Sequence, residues 1–141
     1  MDFGETIGER GQAMVETALI LLAFFVMFFA IFEGGRLIQV QQTLTDAARL
    51  GARLKVAPDS GTNNLPSDAD VQNLVDSFLD AASIYGATTT VTPVPCNTPV
   101  GSVDCLQVTV TYDYNVMTIP MFGAVNMALA GQSQMRDERS Q

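Results

Sequence analysis

The sequence contains no histidine and no tryptophan, and only two of its 141 residues are cysteine. Without histidine, a Ser-His-Asp or Cys-His catalytic triad cannot form, and a metal site that needs imidazole ligands is excluded as well. Charged residues are also scarce, at 16%, whereas apolar residues make up 48% of the chain. This balance excludes an intrinsically disordered protein.

Positively charged residues are fewer than negatively charged residues. Seven Lys and Arg residues stand against fifteen Asp and Glu residues, which gives a formal net charge of −8. A general nucleic-acid-binding protein needs a basic surface, so nucleic acid is not expected as a partner. Residues 1–16 and 57–141 are acidic, while residues 33–56 carry a small basic excess. The charge pattern therefore divides the chain into a polar head, a segment anchored by an apolar run, and an acidic body.

The signatures of common enzyme classes are missing too. The sequence has no Gly-x-Ser-x-Gly and no Gly-x-x-x-x-Gly-Lys motif. Asp76 and Asp80 are the kind of carboxylate pair that can do acid–base chemistry, but nothing in the sequence places them in a cleft. Together with Asp68 and Asp70 they are more typical of a solvated helix face than of a metal site. We predict that the protein is not an enzyme and has no cofactor, metal or small-molecule substrate.

An apolar run is the longest feature that is present. Residues 18–32 are all apolar, and the run extended back to Gln12 contains Glu16 as its only charged residue. About 20 such residues are enough to cross a bilayer as a helix. We therefore predict a transmembrane helix over residues 12–33. The alternative is a cleavable secretory signal, whose basic head and small-x-small cleavage site are missing here.

Glu16 is the informative residue of this run. A carboxylate inside an apolar span is costly and is a functional candidate for that reason. Because Glu16 lies near the start of the span, the alternative is that its side chain simply reaches the headgroup region.

The helix is predicted to continue beyond the membrane, over residues 34–57. Glu33-Gly34-Gly35-Arg36 marks the exit from the span, and the paired glycines suggest a flexible point. No proline follows until Pro58. Apolar and small residues then recur at alternating spacings of three and four, as in a packing seam that faces a neighbouring helix or sheet. The seam residues are Leu37, Val40, Leu44, Ala47, Gly51 and Leu54.

Residues 58–141 are predicted to form a small body with one helix. Ser67 can cap this helix, with Asp68 and Asp70 in its first turn. An apolar stripe with helical spacing follows from Val71 to Ala82, and Gly86 suits the end of the helix.

Three strands are predicted after this helix. Thr88–Cys96 is rich in Thr and Val, and its two prolines confine it to an edge of the sheet. Leu106–Val116 alternates strictly between apolar and polar residues. A weaker alternation lies around Val125–Met135. The expected fold class is α+β: a long N-terminal transmembrane helix that extends into a small domain, with one helix packed on a roughly three-stranded antiparallel sheet.

Cys96 and Cys105 lie at the end of one predicted strand and the start of the next. This spacing suits a disulfide across the mouth of a hairpin, which persists only in an oxidising compartment. The alternative is a pair of free thiols in a reducing cytosol.

Several of these segments resemble known families. The residues RGQAMVE at positions 10–16, followed by an apolar helix, resemble the processing region of type IV prepilin-like proteins. EGGR at positions 33–36 and LTDAARLGAR at positions 44–53 resemble the TadE-like family of tight-adherence (Flp-type) pilus assembly proteins. The strand Val108–Tyr114 and Met135-Arg136 are similar to the later part of that family. The resemblance covers most of residues 10–136 and is specific over residues 10–53.

The resemblance implies a pilin-like fold and a prepilin-type leader at residues 1–11. A membrane prepilin peptidase would cut after Gly11 on the cytoplasmic side and leave Gln12 as the new N-terminus. Glu16 would then be the fifth residue of the mature chain, paired with the amino terminus of a neighbouring pilin or pseudopilin subunit. Thr17 stands where major Flp pilins usually have tyrosine, which favours a minor subunit over the main filament protein.

The resemblance also implies an orientation, with the N-terminus in the cytoplasm and the body outside a bacterial inner membrane. The positive-inside rule gives the opposite result, because Arg36, Arg49, Arg53 and Lys55 all follow the span. We favour the first orientation, because residues 49–55 lie along a helix and not in a short loop. The predicted function is a membrane-anchored pseudopilin or minor pilin-like subunit. The alternative is a single-pass anchored extracytoplasmic interaction module that is not processed.

Overall fold

The structure is a computed structural model, and it describes residues 5–58, 64–98, 101–116 and 125–136. Its elements follow in the order α1 (Glu5–Val56), α2 (Asp68–Ala81), β1 (Thr88–Thr98), β2 (Gly101–Val116) and β3 (Val125–Arg136). The predicted α+β class, with one long apolar helix and a three-stranded antiparallel sheet, is confirmed. The chain divides into two compact units, Met1–Arg36 and Leu37–Gln141, and α1 contributes to both.

Helix α1 owes its length to its sequence. Its first part is composed of strong helix formers and large apolar residues, and the first proline of the chain is Pro58. The helix ends at Val56, two residues before that proline, because the residue preceding a proline is disfavoured in the helical conformation. It passes through Gly34 and Gly35 without a break. The structure also carries the helix back to Glu5, across Gly11 and into the predicted leader.

In the second unit, the C-terminal part of α1 and helix α2 pack on one face of the sheet. Gly51 of α1 faces Val71 and Val75 of α2 and Val108 of β2. The core is formed by side chains from both helices, from strands β2 and β3, and from the segment that follows α2. Its apolar members are Leu44, Ala47, Ala48, Ala52, Val71, Val75, Leu79, Ile84, Val108, Val110, Tyr114 and Leu129.

Helix α2 begins as predicted and ends earlier than predicted. Ser67 is its N-cap, and Val71, Val75 and Leu79 are its buried residues. The expectation that Gly86 ends the helix is wrong, since α2 stops at Ala81. The chain reverses through Ser83, which adopts a left-handed φ of 60°, and Gly86 with a φ of 82° lies in the connection to β1.

The sheet has the order β1-β2-β3, and both neighbouring pairs are antiparallel. The strand with the clearest alternation, β2, is central. Strand β1 is an edge, as its prolines at positions 93 and 95 predicted, because proline has no amide hydrogen for a second neighbour. The weakly predicted third strand is present as β3. The β1–β2 hairpin is longer than expected, because β1 continues to Thr98 and β2 starts at Gly101.

Candidate functional site: the exposed apolar helix

The apolar part of α1 is not covered by any other described part of the chain. Its most hydrophobic 18-residue window is 0% buried within the protein. Large side chains along it are roughly half to three-quarters exposed; Met14, for example, is 73% exposed and Met27 66%. A continuous apolar surface of this size needs lipid or another protein to cover it. Among the described residues, this is the one helix that is long and apolar enough to cross a membrane.

Five phenylalanines share one side of this helix. At 100° per residue, Phe24, Phe25, Phe28, Phe29 and Phe32 fall within an arc of about 140°. The rings of Phe24, Phe25, Phe28 and Phe29 form a contiguous row, with centroid separations of 5.8 Å for Phe24–Phe25, 6.4 Å for Phe24–Phe28 and 6.0 Å for Phe28–Phe29. The same helical spacing places Glu16 on the opposite side. The helix therefore has an aromatic side and a second side that carries the carboxylate.

Three predicted site residues lie at the start of the helix. Gly11, Gln12 and Glu16 are all exposed and all helical. A Cβ atom at position 11 would meet nothing within 4 Å. Glu16 forms no ion pair with any residue whose side chain the structure describes. Next to it, the Thr17 hydroxyl donates a 2.8 Å hydrogen bond to the Ala13 carbonyl, which satisfies a polar group inside an apolar segment.

A charged pair follows the apolar run. An Arg36 guanidinium nitrogen lies 3.5 Å from a Glu33 carboxylate oxygen, one helical turn away. The Glu33 side chain is only 15% exposed, whereas that of Arg36 is 49% exposed. A paired carboxylate and guanidinium at the end of an apolar helix suit the polar boundary of a membrane.

The predicted packing seam faces the chain's own body. Leu44 and Ala47 are fully buried, and Leu37, Val40 and Leu54 are partly buried against the same core. At Gly51, an added Cβ atom would lie 2.9 Å from a Val75 methyl and 3.3 Å from a Val108 methyl. The sequence left the partner of this seam open, as a neighbouring helix or sheet. In the structure, α2 and the sheet of the same chain pack against this seam.

Cys96 and Cys105 form a disulfide, with their Cα atoms 5.7 Å apart. The bridge is diagonal within the β1–β2 ladder, since the direct partner of Cys105 is Val94. Strand alternation places it on the sheet face away from the core residue Val108. The predicted disulfide is confirmed, but its place differs: both strands continue beyond it, so it lies inside the ladder and not at the hairpin mouth.

The residues that fasten α2 to α1 were missed by the sequence reasoning. The Lys55 ammonium lies 2.6 Å from an Asp68 carboxylate oxygen and donates a 2.9 Å hydrogen bond to the Pro66 carbonyl. Its side chain is only 13% exposed. A lysine in the last turn of a helix has several ordinary roles, and no sequence pattern indicates this long-range one.

Asp70 completes a capping box at the start of α2. The Ser67 hydroxyl donates a 2.7 Å hydrogen bond to the Asp70 carboxylate, and the Ser67 amide donates a second one of 2.9 Å. These two bonds stabilise the charged form and lower the pKa of Asp70 below its ordinary value. Two of the four acids first considered as a helix-surface cluster, Asp68 and Asp70, are thus engaged in holding the start of α2.

Comparison with known families bears on the N-terminal half of this arrangement. Residues 11–53 match the model of the TadE-like protein family. The resemblance predicted from positions 10–53 is thereby confirmed, over a segment that makes up less than a third of the chain. No curated protein and no solved structure matches the chain.

The TadE-like segment, residues 11–53, contains both the exposed apolar run and the start of the body's core. TadE-like proteins are structural proteins associated with the tight-adherence pilus, and the family is not known as an enzyme family. The one helix suited to crossing a bilayer among the described residues indicates a single-pass membrane protein.

Proposed function

We propose that the chain is a processed pseudopilin or minor pilin-like subunit of a tight-adherence pilus. The observation that carries the proposal is the TadE-like segment itself, whose apolar part is exposed along its whole length. A helix of this kind stays in the membrane until other subunits cover it. Its work is packing against related helices, and no bond is made or broken by the protein.

Processing after Gly11 explains the arrangement at the start of the helix. Glycine has no side chain, so its backbone can enter a peptidase cleft closely. The cut creates an amino group at Gln12 and leaves Glu16 as the fifth residue of the mature chain. A buried carboxylate and a buried ammonium are each costly alone, and a pair formed between neighbouring subunits offsets both costs.

The side of the helix that carries Glu16 is the side we assign to subunit packing. The aromatic side then faces lipid or the outside of the bundle. The seam from Leu37 to Leu54 is occupied by the chain's own body, so the apolar run is the part of α1 left for contacts between helices of different subunits.

We place the N-terminus in the cytoplasm and the body outside the inner membrane. The Cys96–Cys105 disulfide supports this orientation, because such bonds persist in oxidising compartments. The basic residues that argue against it include Lys55, which is held by Asp68 and Pro66 in the body, and Arg49, which lies near Asp46. These residues lie on a folded helix and not in a short cytoplasmic loop.

Mass spectrometry of the membrane-extracted protein tests the processing step. In cells that contain the prepilin peptidase, we expect an N-terminus at Gln12; in cells that lack it, we expect the unprocessed chain. An unprocessed chain in both strains would rule out the cleavage and would favour the alternative function, an anchored interaction module.

Substitution of Glu16 distinguishes a pilus subunit from a protein that is only tethered to the membrane. We expect Glu16→Ala and Glu16→Gln to reduce piliation strongly while the protein remains in the membrane fraction. Glu5→Gln, which removes a carboxylate from the segment lost on processing, is the matched control and should leave piliation unchanged. Normal piliation with both Glu16 variants would contradict the proposed pairing.

A further inference from the structure

Helices α1 and α2 run antiparallel on one face of the sheet. Lys55, near the end of α1, contacts Asp68 at the start of α2. Earlier in α1, a Cβ atom added at Gly51 would meet methyl groups of Val71 and Val75, further along α2. Residue numbers therefore fall along α1 as they rise along α2. This arrangement gives the pair of helices two outer flanks, one belonging to each helix.

Two aspartates lie on the outer flank of α2. At 100° per residue, Asp76 and Asp80 lie about 100° and 140° around the helix from the buried Val75. Gln72 lies on the same side, and its side-chain amide donates a 3.3 Å hydrogen bond to the Thr89 carbonyl of β1. This flank is therefore on the β1 side, away from α1. Both aspartates are exposed, and neither forms an ion pair with a side chain that the structure describes.

A recess opens beside these aspartates, between the last turns of α2 and the connection to β1. Its volume is about 270 Å³. Gly86 leaves part of its wall without a side chain, and the neighbouring Tyr85 is 66% exposed. The recess combines two carboxylates with apolar groups, and such a lining suits a flat, weakly hydrated guanidinium on an apolar stem better than a compact ammonium. The residues that line it are Asp76, Leu79, Asp80, Ile84, Gly86 and Ala87.

Two arginines lie on the outer flank of α1. By the same spacing, Arg49 and Arg53 lie about 140° and 180° around the helix from the buried Leu44. Gln41 lies about 60° from Leu44 in the same direction, and its side chain donates a hydrogen bond to the Ala130 carbonyl of β3. The arginine flank is therefore on the β3 and solvent side, away from α2.

Arg53 is the less engaged of the two arginines. Both side chains are exposed. A guanidinium nitrogen of Arg49 lies 3.5 Å from an Asp46 carboxylate oxygen, whereas Arg53 forms no ion pair with any side chain that the structure describes. Since the arginines and the two aspartates of α2 lie on opposite flanks, they do not pair with one another within the chain.

The two flanks match in spacing as well as in charge. The arginines are four residues apart along α1 and the aspartates are four residues apart along α2, so the Cβ atoms of each pair are about 5–6 Å apart. Like charges at this spacing destabilise a helix, and an opposite pair from outside removes that repulsion. Complementary patches at two different places on one molecule produce a head-to-tail contact between identical copies.

We propose that the arginine flank of α1 in one copy docks on the aspartate flank of α2 in a second copy. When the two copies point in the same direction, α1 of one lies antiparallel to α2 of the other, as it does within the chain. Arg53 then meets Asp76 at the recess, and Arg49 meets Asp80. Exposed ion pairs are individually weak, so the contact forms where copies are held at high local concentration, as in one bilayer.

A second copy is the occupant that the charges favour, because this chain carries both halves of the match. Two copies that met through the same flank would bring like charges together, so the contact is head-to-tail and not symmetric. It involves the second unit alone and goes beyond the proposed function, since it needs neither processing nor a role in the pilus.

The chain has a single lysine, Lys55, which makes a direct experiment possible. A carbodiimide joins a carboxylate to an amine that touches it. Full-length Arg53→Lys keeps the positive charge and adds such an amine, and Arg49→Lys does the same at the second arginine. Arg136→Lys, at the end of β3, is the matched control. Each protein is reconstituted into phosphatidylcholine vesicles and treated with carbodiimide; covalent dimers are then separated on a denaturing gel, and their cross-linked peptides are identified by mass spectrometry.

With Arg53→Lys, we expect a covalent dimer whose cross-link joins position 53 to Asp76 or Asp80 of another copy. The dimer should be lost at high salt and when Asp76→Asn and Asp80→Asn are added, and it should be absent from the wild type and from Arg136→Lys. If Arg53→Lys does not fold by circular dichroism, Arg49→Lys carries the test, with a cross-link to the same two aspartates. Absence of both cross-links would overturn the proposal. So would an equal yield of dimer from Arg136→Lys or from the asparagine variant, which would show a contact that does not depend on these charges.

Discussion

Gly131 of strand β3 lies directly against the backbone of Leu44 in helix α1. A Cβ atom at position 131 would overlap the Leu44 carbonyl group and lie 2.5 Å from the Thr45 amide nitrogen. Beside this contact, the Gln41 side-chain amide donates a 2.9 Å hydrogen bond to the Ala130 carbonyl. The helix can approach the sheet this closely only because residue 131 has no side chain.

Gly131→Ala is therefore expected to destabilise the body severely. Overpacking usually costs about 1–3 kcal/mol, and here we expect about 3 kcal/mol or more, because the obstructing atoms are backbone atoms that cannot rotate away. Denaturation of the full chain in detergent, followed by far-UV circular dichroism, measures the loss. The matched control is Gly34→Ala, whose Cβ would meet nothing within 4 Å and which should stabilise the helix by about 0.5–1 kcal/mol. Similar stability of both variants would contradict the contact.

Replacing Lys55 is expected to cost more folding free energy than the loss of its ion pair with Asp68 alone. Asp68 is 61% exposed, so the pair itself should contribute only about 0.2–1 kcal/mol. Lys55→Met also leaves the Pro66 carbonyl without its donor, and we expect a total loss of about 1–2 kcal/mol. A double-mutant cycle with Asp68→Asn, measured by chemical denaturation, separates the two contributions. An Asp68→Asn variant as unstable as Lys55→Met would assign the whole effect to the ion pair.

Thr89 offers a stabilising substitution. Its side-chain oxygen is buried and has no hydrogen-bond partner among the residues the structure describes, and the residue is 7% exposed. Thr89→Val replaces the hydroxyl with a methyl group of similar size opposite Val110, so we expect stability to rise by about 1 kcal/mol. Thr90→Val is the control, because the exposed Thr90 hydroxyl donates a hydrogen bond to the Thr109 carbonyl. A lower midpoint of denaturation for Thr89→Val would show that its hydroxyl has a partner.

Much of the fold could be predicted because its signals are local. The apolar run of residues 18–32, extended back to Gln12, has the length and composition of a spanning helix, and the alternation of Leu106–Val116 is typical of a half-buried strand. The prolines of β1 identified it as an edge for a chemical reason that does not depend on its neighbours. The end of α2 was missed because Ser83, which has no strong preference for a left-handed conformation, takes the place expected for Gly86.

The residues of the candidate site likewise fall into those that local sequence signals predict and those that they do not. Gly11, Glu16 and the cysteines stand out by composition and spacing alone. The contacts of Gly131 with Leu44 and of Lys55 with Pro66 join residues that are far apart in the sequence, and they depend on how the helices are placed on the sheet. An isolated glycine in the alternating β3 pattern was the one available signal for the first contact. The seam of α1 was recognisable as a packing surface, but its partner could only be identified once α2 and the sheet were in place.

Removal of the disulfide should weaken the body without changing its fold. The bridge closes a loop with a sequence separation of 9, for which the chain-entropy estimate gives about 2.5–3 kcal/mol. We expect a Cys96→Ala/Cys105→Ala double variant to unfold at correspondingly lower denaturant concentration, with an unchanged circular dichroism spectrum before the transition. Reduction of the wild-type protein with dithiothreitol is the control and should give the same shift.

The capping box at the start of α2 makes stability depend on pH in a defined direction. Hydrogen bonds from the Ser67 hydroxyl and amide lower the pKa of Asp70 in the folded protein. Its carboxylate therefore stabilises the folded state fully above the unfolded pKa, near 3.8, and this contribution is lost as the pH falls through the lower, folded pKa. We expect the denaturation midpoint of the wild type to fall more steeply below about pH 4 than that of Asp70→Asn. Ser67→Ala, which removes the strongest hydrogen bond to the carboxylate, should flatten the acid dependence in the same way; identical pH profiles for all three proteins would exclude Asp70 as a source of acid sensitivity.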